Sequence, residues 1–317
     1  MTTHPRRHTE DWLAYFASSG HPAPRPLAAG VEGTVYRLGG GTIAKVWDGR
    51  PPAGLDLVSR VQADIARHPL PFATPRILGS EERDGVLVTY ERELPGVPLR
   101  DDSARTPPPR DLSAPETEAL LTVVRGLASV PGSSAMRQLT VQGDDRPLWE
   151  GHTRFPDALA ALVERAARRN GDALAAAVPG LAPVVERTAA ALRALPDTPV
   201  TAIHGDLVPP NIHVDGAGRP VAVLDFGFFT TAGDPAFEAA VSAAVWDMYG
   251  PHAEHHTAEL TGLFAAVLGH DAEVMALYRT AYALCTYDLF GTDGTDGHFR
   301  WCAALLNRGA VTGSRHA

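Results

Sequence analysis

Residues 200–227 place chemistry-bearing side chains at the ends of short β-prone runs. Val200 to Ile203 leads into His204-Gly205-Asp206-Leu207-Val208-Pro209-Pro210-Asn211, and Val221 to Leu224 leads into Asp225-Phe226-Gly227. A strand end is a rigid support, so a carboxylate just beyond it is held at a fixed turn. Asp206 follows one apolar run, Asn211 opens the next, and Asp225 ends the third. This register sets an amide oxygen beside a carboxylate, two hard donors suited to Mg²⁺, next to a second carboxylate that can orient or accept a proton. Asp206 alone would read as a turn or cap residue. With Asn211 and Asp225 in register, chemistry is the better account.

Upstream, the pattern is that of a small β-rich unit. Asp11 to Ala17 has a helical apolar face. Gly30-Val31-Glu32-Gly33 then opens a β-prone run that continues through Leu38, and Gly39-Gly40-Gly41 separates it from Thr42 to Trp47. Two alternating runs around a Gly cluster signal a hairpin. A helix is expected over Leu55 to His68, and further strands over Arg76 to Ser80 and Gly85 to Glu91. Thr106 to Pro109 reads as an exposed Pro-rich loop. From Ser113 onward the pattern is helical except for the three pieces around the polar loops, with helices at roughly 113 onward, 234–249, 256–268, 272–290 and 296–307. The expected architecture is α+β and bilobal, a strand-rich N-terminal lobe over 1–93 and a larger helical lobe over 94–317.

The basic residues carry a second signal. Of 28 Lys plus Arg, 27 are Arg, and the single lysine is Lys45 in Ile43-Ala44-Lys45-Val46. Lysine offers a compact ammonium where arginine offers a planar fork, so a site that keeps lysine in an arginine-biased chain suits a point charge on phosphate oxygens. No Ser or Thr follows it and no helix starts there, which excludes a Walker P-loop.

Taken together, the HGD loop, Asn211, the Asp225-Phe226-Gly227 segment, Gly233-Asp234-Pro235 and Lys45 one hairpin after a Gly-bearing turn resemble the aminoglycoside phosphotransferase family, small-molecule antibiotic kinases with a protein-kinase-like fold. The resemblance implies that Asp206 is catalytic and acts on the acceptor hydroxyl, and that Asn211 and Asp225 bind Mg²⁺. It further implies that Lys45 and the turn glycines Gly30 and Gly33 bind the phosphates of ATP, with GTP as the alternative donor. Glu91, Arg92 and Glu93 occupy the segment between lobes, where backbone groups bind the base. Asp247, Tyr249 and Asp288 fall on C-terminal helices, where the family binds its acceptor. One feature departs from the family, which pairs the strand lysine with a glutamate on the first large helix. Between Lys45 and Glu81 this chain has no glutamate; the position falls near Ser59, and Asp56 and Asp64 are the acids at hand.

Two other classes fit less well. A regulated protein kinase carries arginine where Gly205 stands, and eight residues between Asp225 and Asp234 leave no room for a long activation segment. A non-catalytic kinase-fold protein is expected to lack at least one of Lys45, Asp206, Asn211 or Asp225. His252, His255 and His256 have no zinc-type spacing with cysteine and read as structural.

The chain carries a net charge of −9, of which −8 falls in residues 199–317, with 13 acids against 5 bases. An acidic half argues against nucleic acid and anionic membrane as partners. It favours a cationic acceptor, so a polyamine antibiotic is expected to bind near Asp247, Glu254, Asp271, Glu273 and Asp288, with a neutral or nucleoside antibiotic, a macrolide, a sugar or an amino alcohol as alternatives. Two cysteines, a polar start and no apolar run of membrane length lead us to expect a soluble cytoplasmic protein.

Overall fold

The computed structural model describes residues 9–313, apart from 22, 31–32, 48–53, 101–108 and 292. The Gly-bearing turn at Val31-Glu32 and most of the Pro-rich loop thus lie outside the described residues. Helix α1 (Thr9–Ser18) precedes strands β1 (Arg25–Gly30), β2 (Gly33–Gly39) and β3 (Thr42–Trp47). Helix α2 (Leu55–Ala66) and strands β4 (Ile77–Arg83) and β5 (Val86–Arg92) complete the unit. The five strands form one antiparallel sheet in the order β1-β2-β3-β5-β4, so the strand bearing Lys45 is central.

Alternation along the strands divides the sheet into two faces. On one, Trp12 and Phe16 of α1 pack with Tyr36, Leu38, Ala44, Val46 and Val88. The other carries Ile43 and Lys45, which lie opposite Glu91 and Thr89 of β5, and buries Trp47 with Leu55 of α2 and Leu87. Residues of one strand that face the lysine are therefore fixed by register, two apart.

The larger part begins with β6 (Val97–Pro98) and helices α3 (Ala114–Ala128), α4 (Phe155–Arg169), α5 (Gly171–Ala177) and α6 (Leu181–Ala194). Ser113 and Glu116 form a reciprocal capping box that starts α3. Four short strands follow, β7 (Thr201–Ile203), β8 (Ile212–Val214), β9 (Pro220–Val223) and β10 (Thr231–Gly233). Helices α7 (Pro235–Val245), α8 (Ala253–Leu268), α9 (Ala272–Thr286) and α10 (Gly297–Gly313) close the chain. Asp234 caps α7 through its side chain, followed by proline at the first helical position, and Asp271 caps α9.

Helices α4, α6, α7 and α9 enclose the main core, which also takes in Val61 and Ile65 of α2 and Phe72 just beyond it. Ala73 exchanges backbone hydrogen bonds of 2.9 Å with Val221 and Val223 of β9. These contacts seat the small sheet over the strands that carry the polar loops. Among the described residues, no helix is long and apolar enough to cross a membrane.

Three local details differ from the expectation. Asn211 ends a 3-10 turn (Pro209–Asn211) instead of opening β8, because two consecutive prolines cannot donate to a strand ladder. Asp225 stands two residues past the end of β9 with φ of 61°, so it sits on the turn itself. The short β10, which pairs with β7, has no apolar alternation to announce it.

Candidate active site

The loop after β7 is held from beneath. His204 is fully buried, and its Nε2 lies 2.7 Å from the carbonyl of Leu224, an acceptor, so Nε2 carries the proton. Nδ1 then accepts from the backbone N–H of Asp206 at 3.2 Å. Burial holds this imidazole neutral, with its pKa pushed down to about 4. One neutral ring thus ties the residue before Asp225 to Asp206. Phe226 packs on the same ring, with centroids 4.5 Å apart.

Gly205 turns the chain with φ of 76°, and a Cβ there would lie 2.6 Å from Cβ of Phe229 and 2.8 Å from its carbonyl oxygen. Neither space nor backbone geometry admits a side chain. The buried carboxylate of Glu238 on α7 accepts from the backbone N–H of His204 and, at 3.2 Å, from that of Gly205. Burial raises its pKa to about 7 even though both amides favour the ionised form. Glu238 escaped the sequence reading, since one glutamate in an alanine-rich helix carries no local signal.

Asn211 donates from Nδ2 to the carbonyl of Asp206 at 2.9 Å, which leaves Oδ1 to accept or coordinate. Its own carbonyl accepts from the N–H of Leu224 at 2.9 Å, so Asn211 and Asp225 are anchored to one another across β8 and β9. The Asp225 carboxylate is about half exposed and stands 3.4 Å from Nζ of Lys45. An amide oxygen and an accessible carboxylate fit Mg²⁺, which keeps most of its coordination for water and phosphate. No group of three or more His, Cys, Asp or Glu suited to a metal occurs among the described residues.

Lys45 projects from β3 into the space between sheet and loops, with Nζ 3.9 Å from the centroid of the Trp47 ring. Trp47 Nε1 donates to Oγ1 of Thr89 at 3.0 Å, and that hydroxyl donates to Oε1 of Glu91 at 3.2 Å. Glu91 is buried, and its pKa is raised by desolvation against the opposing charge of Lys45. Its side chain therefore faces the lysine. Arg92 ends β5, and Glu93 pairs with Arg37 while its N–H donates to Gly41. On α2, Asp56 is exposed and Asp64 pairs with Arg67. Gly30 ends β1 and pairs with Gly33, which opens β2. A Cβ on Gly33 would lie 2.0 Å from the carbonyl oxygen of Val46, so close strand packing is itself a reason for glycine there.

The expected acceptor residues Asp247, Tyr249 and Asp288 each meet partners within the large lobe. The Asp247 side chain turns inward, with Oδ2 3.0 Å from Nδ1 of His256 but no hydrogen bond between them, and Nε2 of His256 lies 2.8 Å from the carbonyl of Arg110. Asp288 receives both Nε and Nη2 of Arg169 at 3.0 Å, and Asn170 at 2.6 Å. The Asp288 carboxylate is thereby committed within the large lobe. Tyr249 is exposed, and its hydroxyl lies 3.2 Å from Nδ1 of His298.

A central strand lysine set against an aspartate beyond β9, over a loop braced by His204 and Glu238, defines a kinase-like phosphotransferase. The chain belongs to the phosphotransferase enzyme family, whose model matches residues 23–278. None of the curated proteins compared matches it. Among solved structures it is similar to macrolide 2'-phosphotransferase MphH from Brachybacterium faecium, at 21% identity and TM-score 0.59, covering 94% of this chain and 98% of that one. It is similar also to aminoglycoside 2'-phosphotransferase-IIIa in its GDP complex, at 16% identity and TM-score 0.63, covering 96% and 100%. A third is the aminoglycoside phosphotransferase APH(3'')-Id from Streptomyces rimosus with ADP and streptomycin, at 20% identity and TM-score 0.53, covering 88% and 98%. At these identities the likeness concerns the fold.

Proposed function

We propose that this enzyme transfers the γ-phosphate of ATP to a hydroxyl of a small-molecule antibiotic. The observation that carries the proposal is the approach of Lys45 to Asp225, with Asp206 tied to the same turn through His204. Phosphoryl transfer needs position and charge neutralisation more than covalent chemistry. Lys45 supplies a point charge for the nucleotide phosphates. Asn211 Oδ1 and Asp225 would hold Mg²⁺, which when bound offsets phosphate charge. Asp206 orients the acceptor hydroxyl and takes its proton as the acceptor oxygen bonds to Pγ and the bond from Pγ to the bridging oxygen breaks, releasing ADP. Gly30 and Gly33 would flank the phosphates, and the backbone of Glu91, Arg92 and Glu93 would meet the base.

GTP is the second donor to consider, because similar structures include both GDP and ADP complexes. Those structures include complexes with kanamycin and streptomycin and a macrolide phosphotransferase, so the acceptor is sought among antibiotics. The lobes divide at residues 93 and 94, where the five-stranded sheet has ended and the chain turns to pair with β8. Both cysteines are buried thiols, which suits a reducing compartment such as the cytoplasm. The test is an incubation with Mg-ATP or Mg-GTP against an antibiotic panel, read by mass spectrometry for one added phosphate. Phosphorylation that survives in Asp206→Ala at the wild-type rate would contradict the mechanism.

A further inference from the structure

We propose that Glu91 on β5 is the acid that opposes Lys45 in this chain, holding the ammonium in place from within the sheet, where the family uses a glutamate on the first large helix. This rests on the phosphotransferase reading above and adds a positioning residue to it.

Strand register brings the two together. Ile43 lies opposite Glu91 and Lys45 opposite Thr89, so Lys45 and Glu91 are diagonal neighbours on adjoining strands. Both project from the sheet face opposite the one that α1 covers. Diagonal neighbours in an antiparallel pair are within reach of a long side chain, and opposite charges there attract. Glu91 is only 7% exposed, and a buried carboxylate is costly unless a cation stands near. Lys45 is the cation that offsets this burial, whereas the charge of Asp225 acts against it.

A directed chain of hydrogen bonds fixes the carboxylate. The indole N–H of Trp47 can only donate, so the Thr89 oxygen accepts it at 3.0 Å and the hydroxyl proton is left for Oε1 of Glu91 at 3.2 Å. The ring of the same indole lies 3.9 Å from Nζ of Lys45. Trp47 thus meets the lysine with its face and, through Thr89, the acid with its N–H. Asp225 draws Nζ from the loop side at 3.4 Å, and Glu91 draws it from the sheet side.

The polar residues of α2 are engaged elsewhere. Asp56 is exposed, Asp64 pairs with Arg67, and the buried Gln62 accepts from the N–H of Ile77 at 2.9 Å. An acid on a helix is only as well placed as the helix, which is how kinases make the lysine's ion pair conditional. An acid on the strand beside the lysine is held by the ladder hydrogen bonds between β3 and β5. Lys45 is therefore set for phosphate before nucleotide arrives.

Two measurements on the full chain test the proposal. Urea unfolding of wild type, Lys45→Met, Glu91→Gln and the double variant forms a cycle that isolates the interaction between the two side chains. Lys45→Met leaves Glu91 as an unopposed buried charge and is expected to lower the midpoint, and in the Glu91→Gln background that loss should shrink to about half or less. Glu91→Gln keeps an acceptor for Thr89 and removes only the charge. Calorimetric titration of this variant should show Mg-ATP bound about tenfold more weakly, with adenosine within about twofold of wild type. Mg-GTP and guanosine serve as the probes if GTP is the tighter donor. Additive midpoint losses, or unchanged nucleotide affinity in Glu91→Gln, would overturn the proposal. Equal losses for the nucleotide and its nucleoside would overturn it too, by placing the carboxylate at the base. Wild type that binds neither Mg-ATP nor Mg-GTP loses the kinase assignment, while the unfolding cycle still reports on the pair.

Discussion

The carboxylate of Glu238 stands 3.2 Å from the backbone N–H of Gly205, on the turn that carries Asp206. A helix that is otherwise apolar along its buried length spends its one acid on two amides of the catalytic loop. The loop is thereby fixed from below by Glu238 and from the side by His204, leaving the Asp206 side chain partly open.

Removing Glu238 should loosen the loop. Glu238→Ala leaves two buried amides without acceptors and is expected to cost about 2–5 kcal/mol, with turnover falling further than stability alone explains. Glu238→Gln keeps one acceptor oxygen for both amides and can donate its amide to Ser242. Because folding raises the Glu238 pKa from 4.5 to about 7, its contribution is present below pH 4.5 and lost as pH rises through 7. Wild type should therefore lose on the order of 3 kcal/mol relative to Glu238→Gln between pH 4.5 and 8. Urea unfolding of the pair at both pH values measures this, and the opposite trend expected of His204 cancels in the difference. Parallel stabilities at the two pH values would contradict it.

Gly205→Ala should be strongly destabilising. The left-handed backbone alone costs about 1–2 kcal/mol for a residue with a Cβ, and the clash with the Phe229 backbone adds to it. A shift of the denaturant midpoint smaller than that of Gly216→Ala, an exposed glycine with open space around it, would show the turn to be more compliant than its geometry indicates.

Asp206 and Asp225 should separate kinetically. Asp206→Ala is expected to lower turnover about 10²–10⁴-fold with nucleotide affinity nearly intact, as the proposed action of its carboxylate on the acceptor requires. Asp225→Ala should weaken Mg-nucleotide binding as well, since it removes the proposed metal ligand and the partner of Lys45. Calorimetric titration of Mg-ATP into the two variants distinguishes them, and equal affinities would defeat the division of roles.

What the sequence made legible was local. Strand–turn pieces around residues 200–227 and four of the five strands of the N-terminal sheet follow from apolar runs and their punctuation, whereas β1 carries no such signal and the central place of Lys45 follows from the family resemblance. What it hid were partners chosen across the fold. Asp288 finds Arg169 from a distant helix, Asp247 turns inward to His256, and Glu238 reaches back 34 residues to His204. An excess of acids in the last third is real, yet its meaning depends on which arginine or amide each one meets. The hydrogen bonds that join Tyr249 to His298 and His298 to Thr286 are invisible for the same reason, since α9, α10 and the turn after α7 must first pack before these groups meet. The missing helix glutamate shows the converse. Its absence is plain in the sequence, whereas the buried placement of Glu91 on the lysine's face of the sheet needs the strand register to be seen.

The single lysine offers a direct test of the phosphate site. Lys45 Nζ sits 3.4 Å from Asp225 and 3.9 Å above Trp47, with the side chain 14% exposed. An amine-acylating reagent can modify only this side chain and the terminal amine, because every other basic residue is arginine or histidine. Acylation removes the positive charge that phosphate oxygens would meet. Labelling of Lys45 should therefore abolish turnover in proportion to its extent, and saturating Mg-ATP should slow it at least about tenfold by occupying the same space. Lys45→Arg should fare little better than Lys45→Met, since a planar fork replaces a compact ammonium between a carboxylate and an indole. Peptide mass spectrometry gives the extent of labelling at Lys45 alongside residual activity. Full activity in protein acylated at Lys45, or labelling that Mg-ATP and Mg-GTP both leave unchanged, would remove this lysine from the nucleotide site.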